Sequence, residues 1–93
     1  MSIDDENNAL DFPALMKQIK YADLSEADKL AAAFDHTTNR IIEHAQNEIE
    51  LSRAKHDRDA VIKQQIKMET LKHARAIFQD CFQLVLGRRA WDE

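Results

Sequence analysis

Glycine and proline each occur once in the 93 residues, and neither lies between Ser25 and Leu86. These are the two strongest breakers of regular structure. Their absence leaves either one long helix over that stretch or two long helices joined by a turn that needs no glycine. Pro13 stands upstream, and Gly87 follows Leu86 directly, where a glycine is a standard helix stop. At the other end Ser25 and Asp28 form an S-x-x-D pair that resembles a capping box.

Cysteine is also single. Cys81 excludes an intramolecular disulfide and fits a reducing compartment. Its apolar surroundings, Ile77 to Leu86, suit a thiol packed as a small hydrophobe. No apolar run approaches the roughly 18 residues that a membrane-spanning helix needs. The first six residues, Met1 to Glu6, are acidic and lack the apolar centre of a secretory signal. The expectation is a cytoplasmic protein without a membrane partner.

Catalytic signatures are missing too. There is no glycine-rich phosphate loop, no nucleophile elbow and no motif for a cofactor. A chain with so few loops offers little of the concavity that enzymes use, so it reads as non-enzymatic. His44 and Glu48, and Glu69 and His73, each place an imidazole and a carboxylate one helical turn apart. Neither pair lies on a main apolar stripe, and the Glu-x-x-His spacing of di-iron bundles is absent. They read as solvated surface pairs rather than a metal site.

What is present is apolar periodicity and charge. Hydrophobic residues make up 44% and charged residues 32%, which suits a folded helical domain better than a disordered chain. Residues 1–50 hold four Lys/Arg against eleven Asp/Glu, a net of −7, whereas residues 51–93 hold nine against six, a net of +3. The chain is a charge dipole along its sequence, and folding one half on the other would pair the two signs.

Residues 1–10 are acidic and read as a flexible tail. Asp11 is placed to cap a short helix over Phe12 to Ala22, with Phe12, Leu15, Met16 and Ile19 as its apolar stripe. From Glu26 a second stripe runs through Ala27, Leu30, Ala31, Phe34, Ile41, Ile42, Ala45 and Ile49. Thr38 interrupts it and is expected to bond back to its own backbone.

The pattern lapses from Ser52 to Asp59. A continuous helix through this waist would be roughly 90 Å long, which is uncommon without a sustained heptad. A turn near Lys55–Arg58, with Asp57 or Asp59 capping the returning helix, gives two arms of similar length. It also sets Ile49 and Leu51 beside Val61 and Ile62, and Ala45 beside Met68. The predicted fold is all-α: a short N-terminal helix packed on a long antiparallel helical hairpin. Residues 11–87 form one helical domain, residues 88–93 a short C-terminal tail, and the whole is expected to be oligomeric.

The last helix carries two stripes. Ile62, Ile66, Ile77, Cys81 and Leu84 form one; Val61, Met68, Leu71, Phe78, Phe82 and Leu86 form the other, displaced by roughly 140° at 100° per residue. Two apolar faces need two partners, and the preceding helix supplies one. The partner interface expected from sequence is therefore Met68, Leu71, Phe78, Phe82 and Leu86, facing another protein or a second copy in a homodimer. The function expected is an adaptor, chaperone or regulatory subunit acting by helix–helix association. The competing reading is a nucleic-acid-binding hairpin using Arg53, Lys55, Arg58, Lys63, Lys67, Lys72 and Arg75. Interspersed Asp57, Asp59 and Glu69, and the lack of any aromatic between Phe34 and Phe78, weigh against it.

Overall fold

The computed structural model describes residues 3–91, with the side chains of residues 12–91. The described residues form three helices: α1 (Ile3–Lys20), α2 (Glu26–Ala54) and α3 (Arg58–Leu86). Among the described residues there is no strand. The chain divides into two compact units, Met1–Ala33 and Phe34–Glu93, with the division falling inside α2.

In the first unit, α1 begins well before the expected Phe12, so Asp11 lies within the helix instead of capping it and Pro13 sits in its interior. The tail expected over residues 1–10 falls where side chains lie outside the described residues. The predicted stripe of Phe12, Leu15, Met16 and Ile19 is the half-buried side of α1. The helix closes with Tyr21 N–H on the Lys17 carbonyl. Lys29 then reaches back to place its ammonium 2.9 Å from the Lys20 carbonyl, a cation at the negative end of the helix dipole. Ser25 starts α2 as its sequence signature implies. The Asp28 N–H donates to Ser25 Oγ at 3.1 Å, and the Ser25 hydroxyl donates to Asp28 Oδ2 at 2.8 Å.

The second unit is a hairpin. Phe34 and Phe78 stack with ring centroids 4.5 Å apart, where a continuous helix would hold them about 66 Å apart. The turn takes three residues and no glycine. His56 adopts the left-handed region at φ 58. Its N–H bonds the Arg53 carbonyl at 3.0 Å, and the Asp57 N–H bonds the Ser52 carbonyl at 2.9 Å. Those two bonds are the Schellman pattern, which satisfies carbonyls left open at a helix end. Asp57 at once caps α3, accepting from the Ala60 N–H at 3.2 Å. One residue thus ends one helix and begins the next.

Packing follows from this register. Ile42, Ala45, Ile49 and Ser52 are buried along α2, and Arg75 and Phe82 along α3. Leu51 and Ile62 are not part of that core: they are 55% and 50% exposed, because each lies on the outer side of its helix. Gly87 ends α3 at φ 71, its N–H on the Gln83 carbonyl. This is the left-handed stop that glycine adopts without a steric penalty.

Candidate interaction surface

α3 meets α2 with its aromatic side. Val61, Met68, Leu71 and Phe78 are half-buried and Phe82 is 7% exposed. Phe78 lies between Phe34, at 4.5 Å, and Phe82, at 6.1 Å, and the Arg88 guanidinium stands 5.1 Å from the Phe82 ring. Of the five residues that the sequence reading assigned to a partner, only Leu86 is exposed; Met68, Leu71, Phe78 and Phe82 have neighbours within the chain. The helix wheel identified two faces correctly but could not say which one α2 covers.

The face left open is the other stripe. Ile62 and Ile77 are 50% exposed, Ile66 is 62% and Leu84 is 86%. Cys81 is exposed on the same side rather than packed. Ile66 and Ile77 are eleven residues apart, close to three full turns of an undistorted α-helix, so they point the same way. Glu69, Thr70 and His73 are exposed between them. The result is an outer face with two apolar ends and a polar middle.

The basic residues do not gather. Arg53, Lys55 and Arg58 are exposed around the hairpin tip, beside a cleft of about 390 Å³ that also takes in His56, Asp57, Val61 and Ile62. Lys63 and Lys67 are exposed on one side of α3. Lys72 lies about 180° from Lys63 at 100° per residue and stands 3.8 Å from Glu69. Arg75, the seventh, is interior. A phosphate backbone tracking along one face would meet few of them together.

Arg75 is instead the polar centre of the hairpin. It is 6% exposed. Nη2 donates to Asp35 Oδ1 at 2.7 Å; Nη1 donates to Thr38 Oγ1 at 2.6 Å and to the Asp35 carbonyl at 3.2 Å. Thr38 returns its own hydroxyl to the Phe34 carbonyl at 2.7 Å, as expected of a threonine in an apolar stripe. Its acceptance of Arg75 was not anticipated. Trp91 completes the group, with its ring 4.4 Å from the Arg75 guanidinium. It is parallel to Phe78 at 5.4 Å and to Phe34 at 6.0 Å. Sequence reasoning placed Arg75 among surface cations and Trp91 in a tail. The available signal was position: Arg75 falls on the inward stripe between Leu71 and Phe78, where a solvated cation does not belong.

His44 and Glu48 form a surface pair, Nε2 to Oε1 at 3.9 Å, with the imidazole largely open to solvent and the carboxylate partly so. Among the described residues no group of three or more His, Cys, Asp or Glu side chains is close enough to hold a metal ion. None of the described helices is long and apolar enough to cross a membrane. No protein-family model matches the chain, and neither a curated protein nor a solved structure shows significant similarity to it.

Proposed function

We propose that the chain is a small, non-enzymatic interaction module, an adaptor, chaperone or regulatory subunit, and that it works by helix–helix association through the outer face of α3. The observation that carries this reading is the exposure of Ile62, Ile66, Ile77 and Leu84 along one side of a helix whose other side is already packed. Large apolar side chains aligned on one face lose water-exposed area when a second apolar helix covers them. Each Å² of apolar surface so buried contributes about 25 cal/mol. The polar middle, Glu69 with Thr70 and His73, sets the register in which a partner helix fits.

A photo-reactive phenylalanine derivative at Ile66 or at Ile77, introduced in the cell that makes the protein, tests this. A discrete cross-linked species from both sites, a second copy or another protein, is the expected result. The same label at Asn47, exposed on α2, should give none. Equal, diffuse labelling from all three positions would remove the outer face from consideration.

A further inference from the structure

Most of the chain's arginines are engaged within it. Arg75 holds Asp35 and Thr38, Arg88 stands over the Phe82 ring, Arg89 donates to the Trp91 carbonyl, and Arg40 is engaged as well. The remaining two, Arg53 and Arg58, are exposed, and their guanidiniums have no hydrogen bond, ion pair or ring contact among the described residues. Both line the same cleft. It lies at the hairpin tip, measures about 390 Å³, and is completed by His56, Asp57, Val61 and Ile62.

Local structure brings these residues together. Arg53 is in the last turn of α2 and Arg58 is the first residue of α3, so the short turn between the helices sets one guanidinium on each side of it. His56 stands in that turn at φ 58, and its imidazole is exposed and also without a partner among the described residues. From Arg53 to Asp59 the chain holds three cations and two carboxylates. The carboxylate in the cleft is already committed, because Asp57 accepts from the Ala60 N–H. The negative pole of α2 is blunted at the same place. The Leu51, Ser52 and Arg53 carbonyls accept from the Lys55, Asp57 and His56 N–H groups. At the start of α3, the N–H groups that Asp57 does not take remain open to an anion. Val61 is half-buried and Ile62 is 50% exposed, so apolar surface lines the same cleft as the cations.

We propose that this cleft is a binding site for a phosphate monoester that carries an apolar group. The guanidiniums of Arg53 and Arg58 are planar forks that match phosphate oxygens two at a time, and the His56 imidazole adds a further N–H. Two forks suit a dianion with three terminal oxygens better than a carboxylate with two. The apolar group of the ligand covers Ile62 and the open part of Val61, which removes apolar area from water. A volume of about 390 Å³ lies within the roughly 300–1,000 Å³ of small-molecule sites. A bare phosphate, with five heavy atoms at about 30 Å³ each, leaves most of it empty. Ile62 borders both this cleft and the outer face of α3, but association through that face is tested at Ile66 and Ile77 and stands or falls separately.

Phenyl phosphate is the probe, titrated into the full-length chain at fixed ionic strength and followed by backbone and arginine side-chain NMR shifts. The expected result is saturable shifts confined to residues 53–62, with a dissociation constant of about 1 mM. Inorganic phosphate should bind about 10-fold more weakly, and phenol should not saturate. Arg53→Gln with Arg58→Gln should lower the affinity for phenyl phosphate by about 10-fold or more. Lys63→Gln with Lys67→Gln removes the same charge from exposed positions of α3 outside the cleft and should change affinity by about 2-fold or less. If the arginine double variant does not fold, Arg53→Lys with Arg58→Lys keeps the charge, loses the forks and should still weaken binding. Shifts that fail to saturate at the tip by about 20 mM phenyl phosphate overturn the proposal. Equal losses from the arginine and lysine pairs also overturn it, since they would reduce the effect to net charge. So does equal affinity for inorganic phosphate, which would leave Val61 and Ile62 without a part in binding.

Discussion

Arg75 crosses from α3 to Asp35 on α2, Nη2 to Oδ1 at 2.7 Å, with its own side chain 7% exposed and that of Asp35 25% exposed. The asymmetry decides what each member contributes. An interior cation that loses its carboxylate stays uncompensated, at a cost of about 3 kcal/mol or more. A carboxylate near the surface that loses its cation regains water, and Asp35 also keeps the Asn39 amide at 3.1 Å.

Asp35→Ala should therefore lower the free energy of unfolding by about 3 kcal/mol, while Arg75→Met, which keeps the volume and removes the charge, should cost about 1 kcal/mol or less. Urea titrations followed by helicity measure both. Equal losses would mean that the pair acts as a symmetric surface bridge.

His56 gives the second prediction. It occupies the left-handed region in the turn, a conformation that costs an L-residue other than glycine about 1 kcal/mol or more, although histidine is among the side chains found there most often. His56→Gly removes that strain and adds some unfolded-state entropy. The net expectation is a gain of about 0.5 kcal/mol, visible as a higher urea midpoint. A loss would mean that the imidazole makes a stabilising contact at the tip.

The hairpin was legible because breakers, caps and the polar waist all act locally. Ser25, Asp57 and Gly87 do in the structure what their residue types and spacing imply. The start of α1 was harder to read, because Asp11 suggested a cap and instead lies inside the helix, as does Pro13. The two stripes of α3 were visible in the helix wheel, but which stripe faces α2 depends on rotation about the helix axis. That rotation is fixed by long-range pairs, Phe34 with Phe78 and Asp35 with Arg75, more than 35 residues apart in sequence. No local pattern encodes such a pair. The place of Trp91 was hidden for the same reason: its ring lies beside Phe34 and the Arg75 guanidinium, both far from it in sequence.

Gln64 carries the third prediction. Its Oε1 is buried without a hydrogen-bond partner among the described residues, and it sits between Val61 and Met68 on the side of α3 that meets α2. An unsatisfied buried polar atom costs about 1–3 kcal/mol. Gln64→Leu should raise stability by about 1 kcal/mol with an unchanged denaturant slope, since the surface exposed on unfolding hardly changes. A drop in stability would show that the amide is hydrogen-bonded in solution, for example through an ordered water.

The last prediction separates the two faces of α3. Ile66 and Ile77 are at least half exposed, whereas Phe82 is buried against its own chain. Substitutions at exposed positions away from caps and cores usually change stability by about 0.5 kcal/mol or less, so Ile66→Asp with Ile77→Asp should leave helicity and the melting temperature nearly unchanged. The same pair puts two carboxylates into the centre of the proposed contact, where desolvating an unpaired charge is costly. Association, read by sedimentation at several concentrations or by cross-linking from Leu84, should be lost. Phe82→Ala should do the reverse. It opens a cavity in the aromatic core at about 3 kcal/mol or more and lowers the melting temperature by about 10 °C or more in a chain of this size. The molecules that remain folded still present the outer face and should still associate. If instead Phe82→Ala abolishes association in folded protein and the double aspartate variant does not, the contact runs through the aromatic side of α3. The hairpin would then have to open for the protein to act.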